Sequence, residues 1–128
     1  MFGPVTDTIL LVEDEPLVRM AICQHLEDCG YSVLQASNAL DALGVISRHP
    51  EIDVLFTDVR MPGPMDGLAL AKWVIEHKPR MAVMVASGDT AKGTVVKELC
   101  GAHSFTKPYN FDEVTTRIRE AIQARRSP

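Results

Sequence analysis

The chain has 128 residues, 46% of them apolar, with a formal net charge of −4 and a pI near 5.5. That is enough apolar material for one domain with a full core, and too little length for a second folded one. The acidic balance argues against a nucleic-acid or anionic-membrane surface, since both need a basic patch. Taken in order, Thr8-Ile9-Leu10-Leu11-Val12 is a continuous apolar run of the kind buried on both faces of a sheet. It stops at Glu13-Asp14-Glu15-Pro16, where the proline suits a first helical turn. From Leu17 to Cys29, the residues Val18, Ala21, Ile22, Leu26 and Cys29 share a helical face that reads as core, and Gly30 can end the helix. Leu17, Met20 and Gln24 form a separate stripe, either a docking surface or the edge of a broad core stripe.

Tyr31 to Ala36 reads as a second strand, and Ser37-Asn38 as the cap of a helix running to about Ile46. Val54-Leu55-Phe56-Thr57 delivers Asp58 to a turn that Pro62-Gly63-Pro64 prevents from continuing as strand. Asp66-Gly67 opens a helix with Leu70, Ala71, Val74 and Ile75 on its inner side and Trp73 in packing. Met81 to Ala86 is a fourth strand, ending in Ser87-Gly88-Asp89. Gly93 and Thr94-Val95-Val96 make any helix that follows intrinsically weak. A short fifth strand ends at Lys107-Pro108, and Asn110 with Glu113 forms a capping box for a last helix whose inner face is Phe111, Val114, Ile118 and Ala121/Ile122. Five strands alternating with five helices predict a parallel, doubly wound α/β domain over residues 7–125, between a flexible 1–6 and a tail at 126–128. Cys23, Cys29 and Cys100 lack metal-ligand spacing and read as reduced cytosolic thiols; His25, His49, His77 and His103 are scattered. With no leader pattern and no apolar run of spanning length, the expectation is a soluble, cytoplasmic protein.

In such sheets ligands bind beyond the carboxyl ends of the strands. The polar residues predicted there are Glu13 and Asp14, Asp58, Ser87 and Lys107. Singly each has a plain explanation: helix entry, turn or surface lysine. Together they have a chemical logic. Three carboxylates a few ångströms apart repel, and either take up protons or hold a cation, and an oxygen-only donor set favours Mg²⁺. An aspartate can act as a nucleophile toward phosphorus, with Lys107 as the opposing cation, Ser87 as a hydroxyl donor and Gly88 allowing close backbone approach.

The segments I-L-L-V-E-D-E, V-L-F-T-D-V-R-M-P followed by M-D-G-L, A-S-G and T-K-P-Y occur in this order. Together they resemble the receiver domain of two-component response regulators, over essentially the whole chain from about Thr8 to Arg125. The resemblance implies a flavodoxin-like sheet of order 2-1-3-4-5, and phosphorylation of Asp58 by a histidine kinase or a histidine phosphotransfer protein. It also implies Mg²⁺ held by Glu13, Asp14, Asp58 and the Arg60 backbone carbonyl, a phosphoryl group bound by Ser87 and Lys107, and a cis Lys107-Pro108 bond.

Three departures stand out. The turn M-P-G-P-M-D-G is one residue longer than the family pattern, and the stretch from Ser87 to Lys107 is shorter. Ser104 stands where the family carries its aromatic switch residue, with Phe105 next to it; alternation along a strand sends the two to opposite faces. Either a bulge restores the register, or Tyr109 or the weak helix transmits the signal. The expected mechanism is a charge-driven switch in which Ser87 turns toward the phosphoryl group and the loop bearing Gly88-Asp89 repacks. The readout surface would be the fourth helix, fifth strand and fifth helix, meeting a protein target, with the chain a monomer or weak dimer. Arg60 and Asp89 are candidates for setting the phosphoryl lifetime, and Pro108 joins Leu17, Met20 and Gln24 as a docking candidate. The alternative is a receiver-like module that binds partners without phosphorylation. In either case the chain is not a turnover enzyme on other substrates, and it acts alone or as one domain of a longer protein.

Overall fold

The computed structural model describes residues 7–59, 63–87, 104–106 and 111–126. Five strands, β1 (Thr8–Val12), β2 (Ser32–Ala36), β3 (Val54–Asp58), β4 (Ala82–Ser87) and β5 (Ser104–Thr106), form one parallel sheet in the order β2-β1-β3-β4-β5. Four helices are described, not the expected five: α1 (Pro16–Asp28), α2 (Ala39–Arg48), α3 (Gly67–His77) and α4 (Phe111–Arg126). The segment in which the sequence predicts a weak helix lies outside the described residues, as do Gly88, Asn110 and Cys100.

The strand patterns account for the layering. All five residues of β1 are buried, because that strand is central and covered on both faces. Side chains alternate across the sheet, so β1 and β3 each feed two cores. Leu10, Val12, Leu55 and Val59 pack with Ala42 and Ile46 of α2 and Leu70, Ala71 and Val74 of α3. Ile9, Leu11, Val54 and Phe56 pack with Ile22 and Leu26 of α1 and Val114 and Ile118 of α4. The edge strand β2 is covered less completely, with Ser32 and Gln35 exposed.

Local signals set the helix ends. Asn38 caps α2 by accepting the Asp41 N–H at 2.8 Å, and Asp66 caps α3 by accepting the Ala69 N–H at 2.9 Å. At the end of α1, Gly30 takes φ +97°, its N–H donates to the Glu27 carbonyl at 2.9 Å, and the Tyr31 N–H donates to the Leu26 carbonyl at 3.1 Å. This is a Schellman closure that a glycine adopts without strain.

Three expected core positions lie outside the core. Ala21 and Cys29 of the first helical segment are exposed, while Cys23 is buried. Residues advance by about 100° around a helix, so Ala21 and Cys23 flank Ile22 on opposite sides, and α1 rests on the sheet through the Cys23 side. Cys29 stands at the C-cap, past the last helical residue, with its Sγ 3.9 Å from Thr115 Oγ1 of α4. Ile75 is exposed because Leu70, Ala71 and Val74 already fill the sheet-facing arc of α3. Trp73 does pack against the core, and its ring stacks on His77 with centroids 4.5 Å apart. Between α1 and α4, Thr115 Oγ1 donates to the Phe111 carbonyl at 3.0 Å, so the 2.8 Å contact with His25 Nε2 has the histidine N–H donating. No described helix is long and apolar enough to cross a membrane.

Candidate functional site

Parallel strands bring their carboxyl ends to one edge, and there the pairing Val12↔Thr57 sets the exits of β1 and β3 side by side. Glu13 and Asp14 directly follow β1, and Asp58 is the last residue of β3. One carboxylate oxygen from each of Glu13, Asp14 and Asp58 lies within 4.8 Å of the other two. Glu13 is 3% exposed, Asp58 is half-buried and Asp14 is exposed, so the group forms a shallow acidic notch with one wall inside the protein.

The backbone around the notch is tightly fixed. The Glu13 N–H donates to the Ala36 carbonyl at 3.1 Å, extending the β1–β2 ladder by one residue, and the Glu13 carbonyl accepts from Arg19 Nη1 at 2.7 Å. That second bond ties the start of α1 to the exit of β1. The Val59 N–H donates to the Ala86 carbonyl at 2.9 Å, carrying the β3–β4 pairing past Asp58. The Asp58 carbonyl accepts from Thr57 Oγ1 at 2.9 Å, and the Val59 carbonyl accepts the Gly67 N–H at 2.8 Å. A β-carbon at Gly67 would overlap the Asp58 carbonyl oxygen and would lie 2.9 Å from Thr57 Oγ1. The start of α3 therefore rests on the peptide of the candidate acceptor, with no space between them. The sequence marks Asp66-Gly67 as a helix opening and as part of the M-D-G-L segment of the resemblance; the contact with Asp58 is a tertiary fact that neither carries.

Three like charges this close are unfavourable without a compensating cation. The donors are all carboxylate oxygens, the set that suits a hard divalent ion. The residue set thus fits a Mg²⁺-type site by its own chemistry.

Of the other predicted site residues, Leu17 and Met20 are 77% and 62% exposed, and Gln24 is also exposed. Their stripe is the outward face of α1, opposite the sheet, and not the edge of the core. Leu17 opens that face only a few residues after Asp14. The backbone of β4 runs to Ser87 and that of β5 covers Ser104, Phe105 and Thr106, paired one to one as Val85↔Ser104, Ala86↔Phe105 and Ser87↔Thr106. No extra residue interrupts that register within these three positions. The side chains of Ser87, Ser104 and Phe105 lie outside the described residues, as do Arg60, Asp89, Lys107, Pro108 and Tyr109.

The sequence profile of the response regulator receiver domain matches residues 9–119. The chain is 30% identical over 120 residues to the sporulation initiation phosphotransferase F of Bacillus subtilis, covering 92% of this chain and 95% of that protein. It is 35% identical over 125 residues to the nitrogen assimilation regulatory protein NtrX of Azorhizobium caulinodans, covering 92% of this chain but 27% of that one. Several other curated relatives are likewise much longer, and the chain spans between 12% and 26% of them. Among solved structures, a response regulator receiver domain protein from Clostridium thermocellum superposes with a TM-score of 0.84 at 26% identity, over 92% of this chain and 95% of that one. With the sheet order, the matched span and these relatives in agreement, the chain belongs to the response regulator receiver domain family.

Proposed function

We propose that this receiver takes a phosphoryl group onto Asp58 from a phosphohistidine on a histidine kinase or a histidine phosphotransfer protein. One Asp58 carboxylate oxygen attacks phosphorus, the O–P bond forms as the N–P bond breaks, and the departing imidazole takes up a proton and leaves neutral. The observation that carries this reading is the convergence of Glu13, Asp14 and Asp58 at the carboxyl edge of the sheet. Mg²⁺ held by these residues, with the Arg60 carbonyl, would offset the carboxylate charge and that of the phosphoryl oxygens. Glu13 and Asp14 would hold the cation from the β1 side, and Asp58 would supply both a ligand oxygen and the attacking one. Lys107 and Ser87 are assigned to the phosphoryl oxygens by their places in the motif.

Family membership supports this chemistry, as does the word phosphotransferase in the name of the Bacillus subtilis relative. The exposed Leu17 and Met20, close in sequence to Asp14, suit the apolar part of a docking partner. The phosphoryl group adds charge and acceptor oxygens beside β4, and the surface built on β5 and α4 then changes toward a protein target. The chain acts as a phosphoacceptor, not as a turnover enzyme on other substrates.

The test is incubation with Mg²⁺ and acetyl phosphate, followed by intact mass. The expected result is a gain of one phosphoryl group by the wild type and none by Asp58→Asn. No gain by the wild type, or an equal gain by the variant, would overturn the assignment and favour a phosphorylation-independent binding module.

A further inference from the structure

We infer that Gly67 and Thr57 are positioning residues for the acceptor, clamping the Asp58 peptide from the α3 side. The inference rests on the proposed role of Asp58 and adds what holds that residue in place. Asp58 is the last residue of β3, where the β1 side of the ladder runs out: β1 pairs with β3 no further than Thr57, while β4 still pairs with Asp58. Beyond that point the ladder alone would hold the chain from the β4 side only. Instead, Thr57 Oγ1 donates to the Asp58 carbonyl at 2.9 Å, and the Gly67 α-carbon lies against the same oxygen. The Gly67 N–H then takes the next carbonyl, that of Val59, at 2.8 Å, while β4 takes the Val59 N–H at 2.9 Å. The Asp58 and Val59 carbonyls and the amide between them are thus all held, by Thr57 and α3 on one hand and β4 on the other. Thr57 is fully buried, so its hydroxyl needs this partner as much as the carbonyl does.

Gly67 takes no positive φ, which distinguishes it from Gly30 and Gly63. Backbone conformation therefore does not require glycine here; the close approach to Asp58 does. A methyl group at position 67 would overlap the Asp58 carbonyl oxygen, and either α3 or the Asp58 peptide must then retreat. In-line attack on phosphorus tolerates little of this, because a misplacement of about 1 Å can cost on the order of a hundredfold in rate.

The experiment compares Gly67→Ala, Thr57→Val and Thr57→Ser with wild type, using acetyl phosphate and Mg²⁺ and normalising rates to the folded fraction. Gly30→Ala serves as the control: it strains a left-handed position with nothing within 4 Å, and it lowers stability away from the acidic notch. The expected outcome is a maximal phosphorylation rate about ten- to a hundredfold lower in Gly67→Ala, with the half-saturating donor concentration unchanged. Thr57→Val should show a smaller loss, and Thr57→Ser, which keeps the hydroxyl, should recover most of it. Gly30→Ala should keep the wild-type rate per folded molecule. A wild-type rate in folded Gly67→Ala, or an equal loss in Gly30→Ala, would overturn the clamp while leaving Asp58 as acceptor. If the wild type itself gains no phosphoryl group, both readings fall together.

Discussion

At the entry to β3, Asp53 Oδ2 accepts the Thr8 N–H at 2.8 Å, its own N–H donates to the Thr8 carbonyl at 2.8 Å, and its carbonyl accepts from Ala82 at 2.9 Å. At the exit of the same strand, Asp58 faces Glu13 and Asp14. The two aspartates stand five positions apart and have opposite uses. The first satisfies backbone donors where three strands begin, and so holds the sheet in register. The second is gathered with like charges, an arrangement that costs stability and, on the proposed reading, gains a place for a cation and a phosphoryl group. One end of the sheet is built for order and the other for chemistry.

Substitutions can break or sharpen that contrast. The largest effect is expected from Glu13→Gln, which removes the buried charge of the notch. The Mg²⁺ concentration giving half-maximal phosphorylation should rise about tenfold or more, while the melting temperature without metal stays level or increases as repulsion is relieved. An unchanged Mg²⁺ requirement together with a lower melting temperature would move Glu13 into the structural class of Asp53. Asp53→Ala should do the reverse. Losing the acceptor of the Thr8 N–H should cost about 1–3 kcal/mol in urea unfolding, with no change in phosphorylation rate per folded molecule. A large rate loss in the folded variant would mean that the two ends of β3 are coupled.

The smallest effect concerns Cys23, at neither end. Burial first, then the charge and hydrogen bond of Glu27, raise its thiol above the ordinary value of 9.0. The folded state therefore holds this proton more tightly than the unfolded chain. Its contribution to stability is complete below about pH 9 and is lost as pH rises through the folded value. Cys23→Ala should show a slightly flatter decline in stability above pH 9 than wild type. An identical slope would show that the thiol is not part of it.

Much of this was legible in the sequence because it was written in local patterns. The run Thr8–Val12 followed by acids, the strand ending in Asp58 and the caps Asn38 and Asp66 need only neighbouring residues to be read. What failed was the aim of a helix. The apolar residues of α1 fit a stripe centred on Ala21 and Ile22 almost as well as one centred on Ile22 and Cys23, and only the sheet beneath decides. Ile75 was misplaced for the same reason. The tight contact of Gly67 with Asp58 was illegible for a different reason: it joins residues on two elements, and a glycine at a helix start already has a sufficient local explanation.

The placement of β3 has a consequence for how a signal can leave the site. The strand is paired on both sides, by β1 and β4, and its side chains enter both cores. Local opening has its highest free-energy cost in such a place, approaching that of unfolding the whole domain. Asp58, the proposed acceptor, is thus mounted at the end of the strand that is costliest to open. A phosphoryl group on Asp58, as proposed, is therefore not relayed by deforming β3, and its message has to leave through the elements around that strand.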